Sequence, residues 1–130
     1  MWIDLSEGTL TLGEDLIIDG LFSYDQFMKT EYYDGQDPKR VIEINTPFTI
    51  GGREFLVELG FRNNLIYSVS LTIADYSIPV EEEEKRKHIH DGFLEEYGIS
   101  PRSDYEWGSI VSYYDKKGNV SSIEIYYKPG

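Results

Sequence analysis

The segment His88-Ile89-His90-Asp91 carries a spacing that could ligate a metal. In an extended strand an H-x-H pair places both imidazoles on one side. This pair falls inside a predicted helix, where residues i and i+2 diverge by about 200°. Helical ligand pairs are spaced i,i+4, and the chain has only these 2 histidines. Both are therefore read as helix-surface residues, and no metal is assigned. The 24 acidic residues raise the prospect of paired carboxylates, as glycoside hydrolysis requires at defined separations in a cleft. No spacing singles out such a pair. Gly51-Gly52 reads as a hairpin turn rather than a phosphate loop. There is no G-x-S-x-G nucleophile element and no D-x-D-x-D-G calcium loop. With 0 cysteines the chain has no thiol nucleophile, thiolate metal site or disulfide. The expectation is a protein that is not an enzyme, with no catalytic residue, cofactor or metal.

What is left is the chemistry of a charged surface. The 24 acidic and 12 basic residues give a net charge of −12, unevenly spread. Residues 1–50 carry 10 acidic and 3 basic side chains, residues 51–100 carry 10 and 5, and residues 101–130 carry 4 and 4. Direct nucleic-acid binding, which relies on Lys and Arg reaching phosphates, is disfavoured, and an anionic membrane would repel the chain. The densest run, Glu81 to Glu84, is accounted for locally: it lies in the first turn of a predicted helix, where negative charge is favoured. Lys85, Arg86 and Lys87 follow it at i,i+4 pairing distance. The stronger candidate is the stretch from Glu31 to Asp37. There Glu31, Asp34 and Asp37 flank Tyr32 and Tyr33, and carboxylates beside aromatics can meet Arg and Lys by hydrogen bonds, Coulomb attraction and cation–π contact. The bland alternative is a polar loop. Asp15 and Asp19 add charge nearby in sequence, so the candidate partner-binding set is Asp15, Asp19, Glu31, Tyr32, Tyr33, Asp34 and Asp37.

These residues need a scaffold. A chain of 130 residues with 40% hydrophobic and 15% aromatic content fits a single domain spanning residues 1–130. Strands are predicted over Trp2–Leu5 and Thr9–Leu12. Ser23, with Gln26 three residues on, marks a short helix over Tyr24 to Thr30 through a capping box. Val41 to Ile44 has strand character, punctuated by Pro47 and Gly51-Gly52. Phe55, Val57, Leu59 and Phe61 alternate, as do Leu65, Tyr67, Val69, Leu71 and Ile73 across Asn63-Asn64. That pattern predicts a β-hairpin with these residues in the core and Ser68, Ser70 and Thr72 facing away. Pro79 at the first helical position opens a predicted amphipathic helix of about four to five turns. Its apolar stripe is Ile89, Phe93 and Tyr97, and it is stopped by Gly98 and Pro101. A second hairpin runs from Trp107 to Lys128, with Trp107 closing the core and Gly108 allowing close backbone packing. The fold class expected is α+β, with an antiparallel sheet of about five to seven strands packed with two helices. The N-terminus lacks a signal-peptide pattern and no apolar run has membrane-spanning length, so the expected location is cytoplasmic.

Four stretches also carry a family resemblance. They are Gly20-Leu21-Phe22-Ser23 opening the short helix, Phe55 to Phe61 with its following strand, His90 to Leu94 late in the long helix, and Tyr105 to Ile110 followed by Tyr114-Asp115 and Ile123 to Tyr127. In that order the chain resembles small bacterial immunity proteins that neutralise contact-dependent or polymorphic secreted toxins. The resemblance implies an α+β domain that binds and inhibits a cognate protein toxin. A basic nuclease is the toxin type that the acidic charge would suit. It transfers no binding residue by position. Two other roles fit the composition: an acidic adaptor or nucleic-acid mimic, and a small carboxylate-dependent enzyme, which a deep pocket of buried carboxylates would support.

Overall fold

The computed structural model describes residues 1–129. Its N-terminal strands β1 (Ile3–Asp4), β2 (Thr9–Gly13) and β3 (Leu16–Ile18) form a three-stranded antiparallel sheet. Leu10, Leu12, Leu16 and Ile18 are its buried face. The short helix α1 (Tyr24–Phe27) follows. The Ser23 hydroxyl accepts the Gln26 N–H at 3.1 Å, and the Gln26 side chain accepts the Ser23 N–H at 2.9 Å, the reciprocal capping box that the residue types predict. The helix stops earlier than Thr30. There the Thr30 hydroxyl donates to the Phe27 carbonyl at 2.7 Å, taking an acceptor that further helical turns would use.

The main sheet has six strands, β4 (Ile42–Ile50), β5 (Arg53–Arg62), β6 (Leu65–Ile73), β7 (Arg102–Tyr105), β8 (Gly108–Asp115) and β9 (Val120–Tyr127). They are ordered β4-β5-β6-β9-β8-β7, and every pairing is antiparallel. Gly51-Gly52, with φ of +58° and +79°, turns β4 into β5. Asn63-Asn64, with φ of +51° and +69°, turns β5 into β6. Left-handed backbone at both central positions matches the strand twist of a tight hairpin. Pro47 does not end its strand. It lies in a register irregularity between Ile44 and Phe48 on an edge strand, where a missing N–H costs no ladder bond. Strand β7 was not predicted, because Arg102-Ser103-Asp104-Tyr105 is a polar edge segment without an apolar face.

Two expectations change in β6. Its pairing with β5 slips between Gly60 and Phe61, so Phe61 faces Ile66 and Gly60 faces Ser68. A one-residue bulge exchanges faces. Ile66 therefore enters the core, whereas Leu65 is exposed and Tyr67 leaves the core to lie over Gly60.

The long helix is also redrawn. Pro79 precedes a 3₁₀ turn (Val80–Glu82) with an extended ψ of 150°, and helix α2 spans Glu84–Glu96, 13 residues. The acid–base pairs form at i,i+3 rather than i,i+4, Glu82–Lys85 and Glu83–Arg86 both at 2.9 Å, since the 3₁₀ turn aligns every third residue. Lys87–Asp91 is the i,i+4 pair. Arg86 also donates to the carbonyls of Ile73 and Asp75, and Glu83 accepts the Ser121 N–H at 3.2 Å, which stitches the helix start to β6 and β9. The buried face of α2 is His90, Phe93 and Leu94, with Ile89 and Tyr97 half-buried. His90 is thus not a surface residue. It is 0% exposed, and its Nε2 accepts the Ile73 N–H at 3.0 Å, a donor that lies past the last paired residues of β6 and β9, Leu71 and Ile123.

Helices and the small sheet cover one face of the main sheet. Phe93 meets Phe55 with ring centroids 4.8 Å apart, and Phe27 meets Phe61 at 6.2 Å. Trp107 packs on Tyr127 at 5.5 Å, while its indole N–H donates to the Leu5 carbonyl at 2.8 Å. This pins the β7–β8 turn to the N-terminal strands, as expected of a core-closing tryptophan. A Cβ at Gly108 would collide with the Tyr126 carbonyl of the paired strand. Gly108→Ala is therefore expected to destabilise by about 1–3 kcal/mol, the range for forcing a methyl into a packed site. The urea midpoint should fall with an unchanged slope.

Candidate functional site

Tyr32 is the centre of the acidic N-terminal surface. Its ring packs on Phe48 of β4 with centroids 5.1 Å apart, and its hydroxyl lies against Gly13 at the end of β2. A Cβ at Gly13 would stand 3.2 Å from that hydroxyl, a tight contact. Burial raises the Tyr32 pKa first, followed by the hydrogen bond and charge of Glu31 and then the charges of Asp15 and Glu14. The phenol therefore stays a neutral donor amid carboxylates. The β2–β3 turn, which carries Glu14 and Asp15, is thus brought beside the Glu31 loop.

The loop itself is braced by its own hydrogen bonds. The Asp34 N–H donates to the Gln36 side-chain oxygen at 2.6 Å, and the Gln36 amide donates to the Tyr32 carbonyl at 3.1 Å. Tyr24 of α1 donates its hydroxyl to the Gln36 carbonyl. Tyr33 sets its ring edge-on to Tyr24 and Phe27, both at 6.2 Å, and remains 38% exposed. Asp37 turns back on the chain, accepting the Lys39 N–H at 2.9 Å. A groove of about 300 Å³ separates the loop from β4, lined by Asp34, Gln36, Asp37, Arg40, Glu43 and Asn45.

The seven sequence candidates are therefore not one cluster. Asp15, Glu31 and Tyr32 come together, joined by Glu14. Asp34 and Asp37 border the groove, joined by Glu43, and Tyr33 faces α1. Asp19 stands at the opposite end of β3 from Asp15. It accepts the Leu21 N–H at 2.9 Å, and its charge acts on Tyr127. The sequence does not single out Glu14 and Glu43, because their neighbours are set by strand pairing, although Glu14 adjoins the candidate Asp15 in the chain.

A larger cavity, of about 470 Å³, lies away from the acidic loop, with Arg62, Tyr67, Tyr126 and Lys128 among its walls. Among the described residues no group of three His, Asp or Glu side chains could hold a metal ion. No helix among them is long and apolar enough to cross a membrane.

No protein-family model matches the chain, and no curated protein matches it. One likeness is to a solved structure, that of Rhs1-CT in complex with the cognate immunity protein RhsI1. A chain of that structure aligns over 97% of this chain and 86% of its own length, with a TM-score of 0.59 and 13% identity. At that identity the likeness is one of fold: the α+β architecture of this chain extends, over nearly its whole length, to a chain of that complex.

Proposed function

We propose that this chain is an immunity protein that binds and inhibits a cognate bacterial toxin in the cytoplasm, one whose active site is basic, as in a nuclease. The observation that carries the reading is the fold shared over 97% of the chain with a chain of the Rhs1-CT complex with immunity protein RhsI1. The charge of −12 supports it independently, since complementary charge accelerates encounter and suppresses wrong partners. The docking surface on this reading is the braced loop with Glu31, Tyr32, Tyr33, Asp34 and Asp37, extended by Asp15, Glu14 and Glu43. Its carboxylates take the toxin's lysines and arginines, and its tyrosines supply rigid contact area. Inhibition is stoichiometric and involves no chemistry.

The test is co-purification with the product of the adjoining gene, together with rescue of cells from that product's toxicity. Failure of both removes the proposal. Neutralising Glu31, Asp34 and Asp37 together (to Gln, Asn and Asn) is expected to slow association about tenfold. Raising the salt should slow the wild-type chain in the same way, because steering is screened beyond a Debye length of about 8–10 Å. An association rate indifferent to salt would sink the electrostatic part of the reading.

A further inference from the structure

Arg62 and Lys128 both line the cavity of about 470 Å³, which lies beside the β5–β6 turn. Among the described residues its wall holds no Asp or Glu, the reverse of a chain with 24 acidic and 12 basic residues. No ion pair among the described residues involves either cation. The Arg62 guanidinium stacks on Tyr67, 4.1 Å from the ring centre. Stacking uses the flat face of a guanidinium and leaves the N–H donors in its plane free to take a carboxylate. The buried Ile66 and Tyr127 close the cavity from the core side, and Leu65 and Tyr126, 37% and 40% exposed, stand at its rim.

The cavity is tied to the acidic loop through α1. The Tyr24 N–H donates to the Asn64 carbonyl at 2.9 Å, and the Ile66 N–H donates to the Phe22 carbonyl at 2.9 Å. At its other end Tyr24 donates its hydroxyl to the Gln36 carbonyl of the loop. A single residue therefore links the β5–β6 turn to the surface that carries Asp34 and Asp37. A partner seated on that loop has the cavity within its reach.

We propose that this cavity is a socket for an apolar side chain of the partner protein and an adjoining Asp or Glu, whose carboxylate is taken by Arg62 and Lys128. The inference deepens the immunity reading and rests on it: the loop takes the toxin's cations, and the socket takes one of its carboxylates. Pockets of this size are lined mainly by apolar groups with a few polar ones that fix orientation. A mononucleotide would also offer a ring and an anion. Its phosphate, however, brings a charge of about −1.5 to −2, which a chain at −12 repels, whereas one carboxylate on a basic protein is drawn in with its carrier. The reversed sign at one point also sets the register of docking, because a slipped partner would bring like charges together at both places.

Charge removal separates the socket from general attraction. The variant Arg62→Gln with Lys128→Gln makes the chain more acidic, so steering alone would speed its association with a basic toxin. The socket requires the opposite in affinity: the Kd for the purified product of the adjoining gene should rise about tenfold through faster dissociation. Both side chains are exposed, so the melting temperature should stay within about 2 °C of the wild type. Leu65→Glu, which puts a carboxylate at the rim, should weaken binding to a similar degree. A loss of less than about threefold in either variant, against an intact wild-type affinity, overturns the socket and leaves the immunity reading standing. A further arm needs no toxin, and it decides the socket even if the wild type does not bind that product. Acetyl-Phe-Glu-amide titrated into the labelled protein should shift the amide resonances of Ile66, Tyr67 and Lys128, and acetyl-Phe-Gln-amide should shift them far less. Equal shifts from the two peptides, or larger ones from adenosine monophosphate, would overturn the proposal.

Discussion

Replacing Phe93 with alanine is expected to destabilise the fold by about 3–5 kcal/mol, the range for truncating a fully buried phenylalanine. Phe93 is 1% exposed and joins elements distant in sequence. Its ring lies 5.6 Å from Trp2 in the N-terminal segment, 4.8 Å from Phe55 of β5 and 5.3 Å from Tyr97 on its own helix. It also closes over the Gly51 turn, where a Cβ would meet the rings of Phe93 and Tyr97. Truncation leaves a void that this rigid surround cannot fill, because the neighbouring rings are held by other contacts. A chain of this size loses about 3–5 °C of melting temperature per kcal/mol, so the midpoint should fall by roughly 10–20 °C. Ile89→Ala, on the half-buried flank of the same helix, should cost clearly less. Equal effects would mean that the helix face has been misassigned. Thermal or urea denaturation of the two variants decides it.

The second large effect belongs to His90 and shows itself through pH. Its Nε2 accepts the Ile73 N–H, so Nδ1 carries the proton of the neutral ring. Nδ1 is buried without a partner. Burial, then the charge of Arg86, pushes the pKa down to about 4, with Asp91 pulling the other way and Lys87 adding to the fall. A protonated His90 would bring an uncompensated charge into the core and lose its acceptor role. The unfolded chain protonates near 6.5 and the folded chain only near 4, so between those values the unfolded state binds more protons. Stability from this residue is thus fully present above about pH 6.5 and is lost as the pH falls towards 4, by about 1.4 kcal/mol per unit and about 3 kcal/mol in all. Glu58 and Glu124, whose pKa values are raised, act with the opposite sign in the carboxylate range, because their protonation favours the folded state. The comparison is therefore cleanest between pH 7 and 5.5. There His90→Gln, which keeps an acceptor for Ile73 but does not titrate, should flatten the loss seen in the wild type. An unchanged slope would show that His90 is not the group responsible.

His90 also marks where reading the chain alone stops. Phe55, Val57, Leu59 and Phe61 announce their strand because a pleated backbone sends alternate side chains to one face whatever it packs against. The Ser23–Gln26 capping box and the Asn63-Asn64 turn are legible for the same reason, since their geometry closes within four residues. The helical phase of α2 was legible only in part. Phe93 was placed in the core, but the adjoining His90 is polar, and its burial depends on an N–H of β6 that is 17 residues away in sequence.

The acidic surface divides along the same line. The composition of the Glu31 to Asp37 loop is local, and the sequence alone marked it as a candidate. Which carboxylates stand beside it depends on how β2, β3 and β4 pair, which brings Asp15 and Glu14 to Tyr32 and leaves Asp19 at the far end of β3. The same is true of the cationic cavity. Only the order β5-β6-β9 brings Arg62 and Lys128 to one wall, and only the slip at Gly60 delivers Tyr67 to the Arg62 guanidinium. Charge, turns and strand periodicity follow from short-range geometry and are written in the chain. Register, strand order and the neighbours of a charge arise from contacts between distant segments, and only the tertiary structure decides them.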